Sequence, residues 1–290
     1  MENRNSQKEL EFDALQDRAG SCGTMQEQVG TVDTWLAQPV PQPFRRGQYQ
    51  LHCGDCLQIM PCLVQAGSVD LILADLPYGT TQNPWDSKIP LVPLWKEYWR
   101  VLKPGGAVVL FAQTPFDKVL GSSCLPFLKY EWIWEKTHPT GHLNAKKAPM
   151  KAHENVLVFY RQQPTYNPQK TTGHVRKTAT KRQDLTPTYG AQKFEPIPYD
   201  STERYPRSVL VFPSDKQRSN LHPTQKPLDL ARYFIRTYSD PGEVVLDNVM
   251  GSGTAGVAAL LEGRRFLGIE KDQPYFETAK ARISDASLNP

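Results

Sequence analysis

The chain has 290 residues, of which 39% are hydrophobic and 22% charged, and its formal net charge is +4. That composition suits one large domain, or a domain carrying an insertion. No apolar run approaches the ~20 residues of a membrane helix, and the polar start Met1-Glu2-Asn3-Arg4 does not read as a signal peptide. Of the five cysteines only Cys53 and Cys56 form a Cys-x-x-Cys, with no second pair, so no metal site is expected; reduced thiols in a cytoplasmic protein are.

The charge is unevenly spread. From Lys136 to Asn220 there are fifteen Lys or Arg against six Asp or Glu, which is +9 and leaves −5 for the remainder. A basic middle in an acidic chain points to a phosphate-rich partner, although a solvated basic loop has the same composition.

In chain order, residues 1–46 are polar, lack sustained periodicity and read as a mobile tail. Tyr49-Gln50-Leu51 is a short strand. After it, Asp55 is placed to cap a short helix, with Gln58 three residues on as in a capping box and Pro61 interrupting the helix early. Val69 to Ala74 follows as a strand buried on both faces, and it stops at Asp75-Leu76-Pro77-Tyr78-Gly79. Ligands of open α/β sheets bind beyond the carboxyl ends of strands. Asp75 and the Leu76 carbonyl are two acceptors at such an end, Pro77 stiffens the turn and Tyr78 offers a flat face. Together they suit a planar amine, such as the exocyclic amino group of a nucleobase. Asp, Pro and Gly also build ordinary turns, so this stretch alone leaves both readings open.

Leu91 to Leu102 reads as a helix stopped by Pro104-Gly105-Gly106, and Ala107 to Phe111 as a second buried strand. A helix over Phe116 to Leu120 and strands over Tyr130 to Trp134 and Asn155 to Tyr160 come next. The alternation argues for an α/β fold with a mainly parallel sheet. The basic Ala145-Lys146-Lys147 lies between the last two strands. From Arg161 to Arg207 regular periodicity gives way to Pro, Thr, Gln, Lys and Tyr, a mixture suited to backbone phosphates and unstacked bases, or to disorder. Ser208 to Phe212 is a strand, and His222-Pro223-Thr224-Gln225-Lys226-Pro227 leads into a helix over Leu228 to Tyr238. Val244 to Asp247 is a strand ending in a carboxylate, Ala255 to Leu261 a helix, Arg265 to Ile269 a strand with Glu270 at its end, and Pro274 to Ser284 a last helix.

Gly251, Gly253 and Gly256 fit the Gly-x-Gly-x-x-Gly spacing of a dinucleotide loop, and Glu270 stands about twenty residues on, so a nicotinamide-dependent oxidoreductase is one reading. Asp247 argues against it, because a carboxylate there repels a pyrophosphate and suits an ammonium. A ligand with an amino acid head and a ribose, such as S-adenosylmethionine, fits both Asp247 and Glu270.

Asp75-Leu76-Pro77-Tyr78, His222 to Pro227, and Asp247-Asn248-Val249-Met250-Gly251-Ser252-Gly253-Thr254 together resemble three signatures of amino-methylating DNA methyltransferases, in the order of their circularly permuted beta group. The resemblance covers roughly 49–160 and 208–284. It implies a doubly wound, Rossmann-like methyltransferase sheet with an irregular basic insertion. The divisions are a tail at 1–46, a catalytic half at 47–160, a target-recognition insertion at 161–207 and a cofactor half at 208–290. It implies S-adenosylmethionine as cofactor, with Asp247, Gly251, Gly253 and Thr254 around its methionine part, Glu270 on its ribose and Asp55 near its adenine. His222, Thr224, Gln225 and Lys226 would close over the methionine end. Asp75, Leu76, Pro77 and Tyr78 would be catalytic, with Tyr78 stacking on a flipped base. Lys136, Lys146 and Lys147 are candidate DNA contacts. Leu76 stands where the family commonly has proline, and Asn248-Val249-Met250 where Pro and Phe are usual after the acid. Adenine N6 of double-stranded DNA is the implied target, with cytosine N4 and RNA or protein methylation as alternatives. A homodimer and a restriction endonuclease partner are compatible with the family.

Overall fold

The computed structural model describes residues 48–79, 88–179, 199–214 and 226–288, so the tail expected over 1–46 lies outside the described residues. Eight strands form one sheet: β1 (Tyr49–Cys53), β2 (Val69–Asp75), β3 (Leu102–Ala112), β4 (Leu128–Thr140), β5 (Lys151–Phe159), β8 (Val209–Phe212), β9 (Val244–Asp247) and β10 (Arg265–Glu270). Their spatial order is β1-β10-β9-β2-β3-β5-β4-β8. All neighbours are parallel except where β5 meets β3 and β4, so β5 alone of the eight is reversed.

Six helices flank the sheet: α1 (Cys56–Leu63), α2 (Leu91–Val101), α3 (Phe116–Ser123), α4 (Leu228–Tyr238), α5 (Thr254–Leu261) and α6 (Gln273–Leu288). The period-2 geometry of β2 sends Ile72 and Ala74 into a core with α1, α2 and α3, while Leu71 and Leu73 enter a second core with α4, α5 and α6. Burial on both faces explains the apolar run Leu71 to Ala74 in β2, and the sheet is doubly wound as expected. Among the described residues no helix is long and apolar enough to cross a membrane.

Several local expectations change. Pro61 does not cut α1 short. Asp55 Oδ1 accepts the Leu57 N–H at 2.9 Å, and Arg100 donates to the terminal carbonyls of Val64 at 2.8 Å and Met60 at 2.6 Å, so both ends are supported. Pro104-Gly105-Gly106 lies inside β3 rather than before it. The register with β2 jumps there, and a side chain at Gly106 would sit 2.8 Å from the Asp70 carbonyl, so glycine permits the close approach. Strand β4 runs on to Thr140, through residues read from sequence as a connecting segment. The basic insertion carries regular structure: β6 (Lys177–Ala179) pairs with β7 (Tyr199–Ser201), and Asn167 ties it to the end of α4 by donating to the Arg236 and Ser239 carbonyls, each at 3.2 Å.

The centre of the sheet joins residues far apart in sequence, Leu71 with Val245 and Ile72 with Leu246. Asp70, 8% exposed, fastens this junction. Its Oδ2 accepts the Val244 N–H at 2.9 Å, and its Oδ1 pairs with Lys103 Nζ at 2.7 Å. Asp70→Ala leaves the buried Val244 N–H without its acceptor and is expected to cost about 1–3 kcal/mol. Urea unfolding checks this, with Asp70→Asn, which keeps an acceptor, expected to lose less.

Candidate active site

The parallel register brings four strand ends to one cleft of about 870 Å³. Cys53 is level with Glu270, Gly268 with Asp247, and Leu246 with Ile72, so Asp55, Glu270, Asp247 and Asp75 follow one another along the carboxyl edge. Among the described residues, every expected site residue lines this cleft except Gly253, Lys146 and Lys147. His222, Thr224 and Gln225 lie outside the described residues.

On the glycine-loop side, Asp247 is 6% exposed and its Oδ1 accepts the Val249 N–H at 3.1 Å. Burial raises its pKa well above the usual carboxylate range, and the Asp75 and Glu270 carboxylates push the same way. Glu270 accepts the Gly251 and Asp272 N–H groups, each at 2.8 Å, and burial raises its pKa too. Three carboxylates thus share one low-dielectric cleft, and no cation eases the burden on Asp247 among the described residues. Such a site suits a positively charged ligand. The ammonium and sulfonium of S-adenosylmethionine answer that demand, and Glu270 is a ready acceptor for ribose hydroxyls. Asp55 both caps α1 and lines the cleft, with Lys271 Nζ 3.3 Å from its Oδ2.

Gly253 has a packing role that the sequence did not show. Its φ is 79°, and a Cβ there would lie 2.9 Å from Ala279 Cβ and 3.0 Å from Ile283 Cδ1, on α6. The glycine is needed for packing of the loop on α6. Arg282, also on α6, braces the loop by donating to the Ser252 carbonyl and, at 3.0 Å, to its hydroxyl. No sequence motif marked Arg282.

On the other side of the cleft, Tyr78 donates its hydroxyl to Asp75 Oδ1 at 2.7 Å, and its ring packs on Phe116 at 5.3 Å between centroids. Lys226 Nζ is 2.9 Å from Asp75 Oδ2 and 2.7 Å from Glu154 Oε2. Lys226 therefore faces the acceptor carboxylate. Lys136 Nζ is 2.6 Å from Glu154 Oε1, 9% exposed, and sits 5.2 Å from the Trp134 ring centre. This corrects the expectation that Lys136 contacts DNA, since its charge is spent inside the site. Lys146 and Lys147, by contrast, are exposed in the β4–β5 connection. Burial raises the Asp75 pKa, helped by Glu154 and opposed by Lys226 and the Tyr78 hydroxyl. Burial would also raise Glu154, but Lys226 and Lys136 outweigh it and hold the carboxyl down at about 2. Glu154 went unnoticed in the sequence; its signal was an acid just ahead of the apolar stretch Val156 to Phe159.

A doubly wound sheet with a carboxylate-rich cleft at its carboxyl edge and an acceptor pair beside it defines a methyltransferase-type site. A family model described as DNA methylase, N6_N4_Mtase, matches residues 69–281. The chain is 30% identical over 242 residues to the DNA adenine methyltransferase YhdJ of Escherichia coli (strain K12), covering 77% of this chain and 79% of that one. It is 27% identical over 268 residues to the type II methyltransferase M.HinfI of Haemophilus influenzae, covering 82% and 68%. Among solved structures, the M1.HpyAVI–SAM complex aligns with a TM-score of 0.57 and 23% identity over 81% of this chain and 99% of the other. The cytosine-N4-specific PvuII DNA methyltransferase aligns with 0.60 and 15% over 83% and 92%. The chain belongs to the N6/N4 DNA methylase family, whose members are S-adenosylmethionine-dependent DNA methyltransferases. The oxidoreductase reading of the glycine loop falls with this finding and with the buried carboxylate at Asp247.

Gly253→Val combines left-handed backbone strain with overpacking against α6 and is expected to destabilise the fold by roughly 2–5 kcal/mol. Thermal unfolding checks it: a drop in melting temperature should accompany any loss of cofactor binding. Loss of binding at an unchanged melting temperature would return Gly253 to the ligand.

Proposed function

We propose that the protein methylates the N6 amino group of adenine in double-stranded DNA. The observation that carries this reading is the adjacency of Asp75 and Asp247 across the β2–β9 junction, which puts an amine acceptor beside a carboxylate suited to the cofactor's ammonium. The resemblance to a relative named as an adenine methyltransferase supports adenine as the base. Cytosine N4 is the second reading, favoured by the fold shared with the cytosine-N4-specific structure. Four free thiols, at Cys53, Cys56, Cys62 and Cys124, fit a reducing compartment and hence a cytoplasmic setting.

Asp247, Gly251, Thr254, Glu270 and Asp55 would hold S-adenosylmethionine, which supplies an electrophilic methyl group on a sulfonium. The residues of the chain do the rest by position. An adenine amino nitrogen is a poor nucleophile because its lone pair is delocalised into the ring. Asp75 and the Leu76 carbonyl each accept one of its N–H bonds, which frees the lone pair to point at the methyl carbon. Accepting the methyl group that the bound cofactor would supply leaves the amine nitrogen positively charged and acidic. Its surplus proton passes along the Asp75 hydrogen bond towards solvent, so Asp75 need not be a strong base. Acceptors aimed at developing positive charge account for the acceleration. The target base must leave the duplex to reach this depth. The exposed Lys146 and Lys147 and the insertion around β6 and β7 are placed in this reading against the DNA backbone and the recognition sequence.

Asp75→Ala is expected to abolish methyl transfer while leaving S-adenosylmethionine affinity within a few-fold. Labelled cofactor, DNA and digestion to nucleosides measure the first, and calorimetry the second. Labelled N6-methyl-2′-deoxyadenosine in the wild-type digest supports the reading; labelled N4-methyl-2′-deoxycytidine would move the assignment to the second reading. Neutralising Lys146 and Lys147 together should weaken binding to all DNA sequences alike. The slope of log affinity against log salt should become shallower by about 1 to 2, as when one or two phosphates are no longer neutralised by the protein.

A further inference from the structure

The contacts made by Asp75 present a difficulty that the proposed chemistry has to solve. Both oxygens of Asp75 are already engaged, Oδ1 by the Tyr78 hydroxyl at 2.7 Å and Oδ2 by Lys226 at 2.9 Å. An amine N–H needs one of them. Lys226 is the better placed to yield, because its ammonium already has a second carboxylate at the shorter distance of 2.7 Å, that of Glu154. Glu154 is itself fixed from the other side by Lys136 at 2.6 Å, and its side chain is 9% exposed. Removing an ammonium from its sole counter-charge in such surroundings is costly, whereas moving it a short way between two carboxylates is not.

We propose that Glu154 is a positioning residue for methyl transfer: it retains the Lys226 ammonium when the target amine arrives and thereby releases Asp75 Oδ2 to accept the amine N–H. Before the base enters, Lys226 opposes the rise that burial imposes on the Asp75 pKa. Once it enters, Lys226 rests on Glu154, while Lys136 keeps Glu154 from turning away. Two lysines and two carboxylates make the group neutral as a whole, so the exchange needs no ion from solvent. This rests on the reading of Asp75 as the amine acceptor.

The groups facing Asp75 are Tyr78 just after β2, Lys226 just before α4, Glu154 on β5, Lys136 on β4 behind Glu154, and Asp247 at the end of β9, with Lys88 and His138 also lining the cleft. Their signs give opposite expectations for two variants. The acid limb of kcat/KM against pH reports protonation of the free enzyme's essential carboxylate. Glu154→Gln removes a negative neighbour and leaves Lys226 to Asp75, so the limb should move to lower pH. Maximal turnover should fall about 10- to 100-fold, because the amine must now displace a tightly held ammonium. Lys226→Met removes the cation opposing burial, so the limb should move to higher pH. Glu154→Asp, which keeps the charge, should recover part of the turnover lost in Glu154→Gln. Calorimetry with S-adenosylmethionine should show affinity within a few-fold of wild type for Glu154→Gln.

A merely structural role would lower the melting temperature or the height of the profile and leave its acid limb in place. An unshifted limb, a shift of both variants in the same direction, or undiminished turnover in Glu154→Gln overturns the proposal. If Glu154→Gln fails to fold because two ammoniums face one carboxylate, the double variant Lys136→Met/Glu154→Gln restores the charge balance and carries the same test. Failure of the underlying reading looks different: wild-type protein would then give no methylated nucleoside, or Asp75→Ala would retain activity.

Discussion

The site depends on charge that has been taken out of water and balanced within a few ångströms. Lys136, Glu154, Lys226 and Asp75 form a chain of contacts between 2.6 and 2.9 Å, and loss of either middle member, Glu154 or Lys226, strands the group beyond it. Buried ion pairs are weak contributors to stability, since desolvation offsets most of the attraction. Their value here lies in geometry. Three strands and the segment before α4 each contribute one charge, so the backbone of the sheet is held to the arrangement that the chemistry requires. Asp247 is the contrast: it is buried with no ammonium beside it among the described residues, and its pKa is raised accordingly. One half of the cleft is internally neutral and the other awaits a cation.

This division follows from the sheet. Parallel strands align their carboxyl ends, so acids that close β2, β9 and β10 must meet at one edge. A reversed strand presents its amino end at that edge instead. Strand β5 is reversed, and Glu154 near its start is thereby delivered to a site otherwise built from strand ends. Glu154 thus reaches the cleft through topology rather than through a motif.

Much of this was legible in the sequence, because its physics is local. Asp75, Asp247 and Glu270 each follow an apolar run, and the run and its terminating acid are visible together. The cap at Asp55 was readable for the same reason. What was hidden depended on long-range pairing. The direction of β5 cannot be read from its composition, so Glu154 looked like any polar residue before a strand. Lys136 looked like part of a basic surface because its partner lies eighteen residues on, across an antiparallel pair. The packing role of Gly253 was hidden because α6, which crowds it, comes later in the chain. Pro104-Gly105-Gly106 read as a stop, although a strand can absorb such a segment as a bulge when its neighbour's backbone comes close.

The β2–β9 junction also bears on how the molecule is made. Residues 71 and 72 wait for partners at 245 and 246, and β1 waits for β10 at 266–270. During synthesis the catalytic strand therefore leaves the ribosome long before the strands that cover its open side. At typical elongation rates of about 5–20 residues per second, some ten seconds or more pass with a flat apolar strand lacking a neighbour. Such an edge invites pairing with other chains. Its protection in that interval falls to the part already made, β3 with the β4–β5 hairpin on one side and α2 on one face. The permuted order of the chain thus asks the amino-terminal half to be a tolerable folding intermediate as well as half of an enzyme.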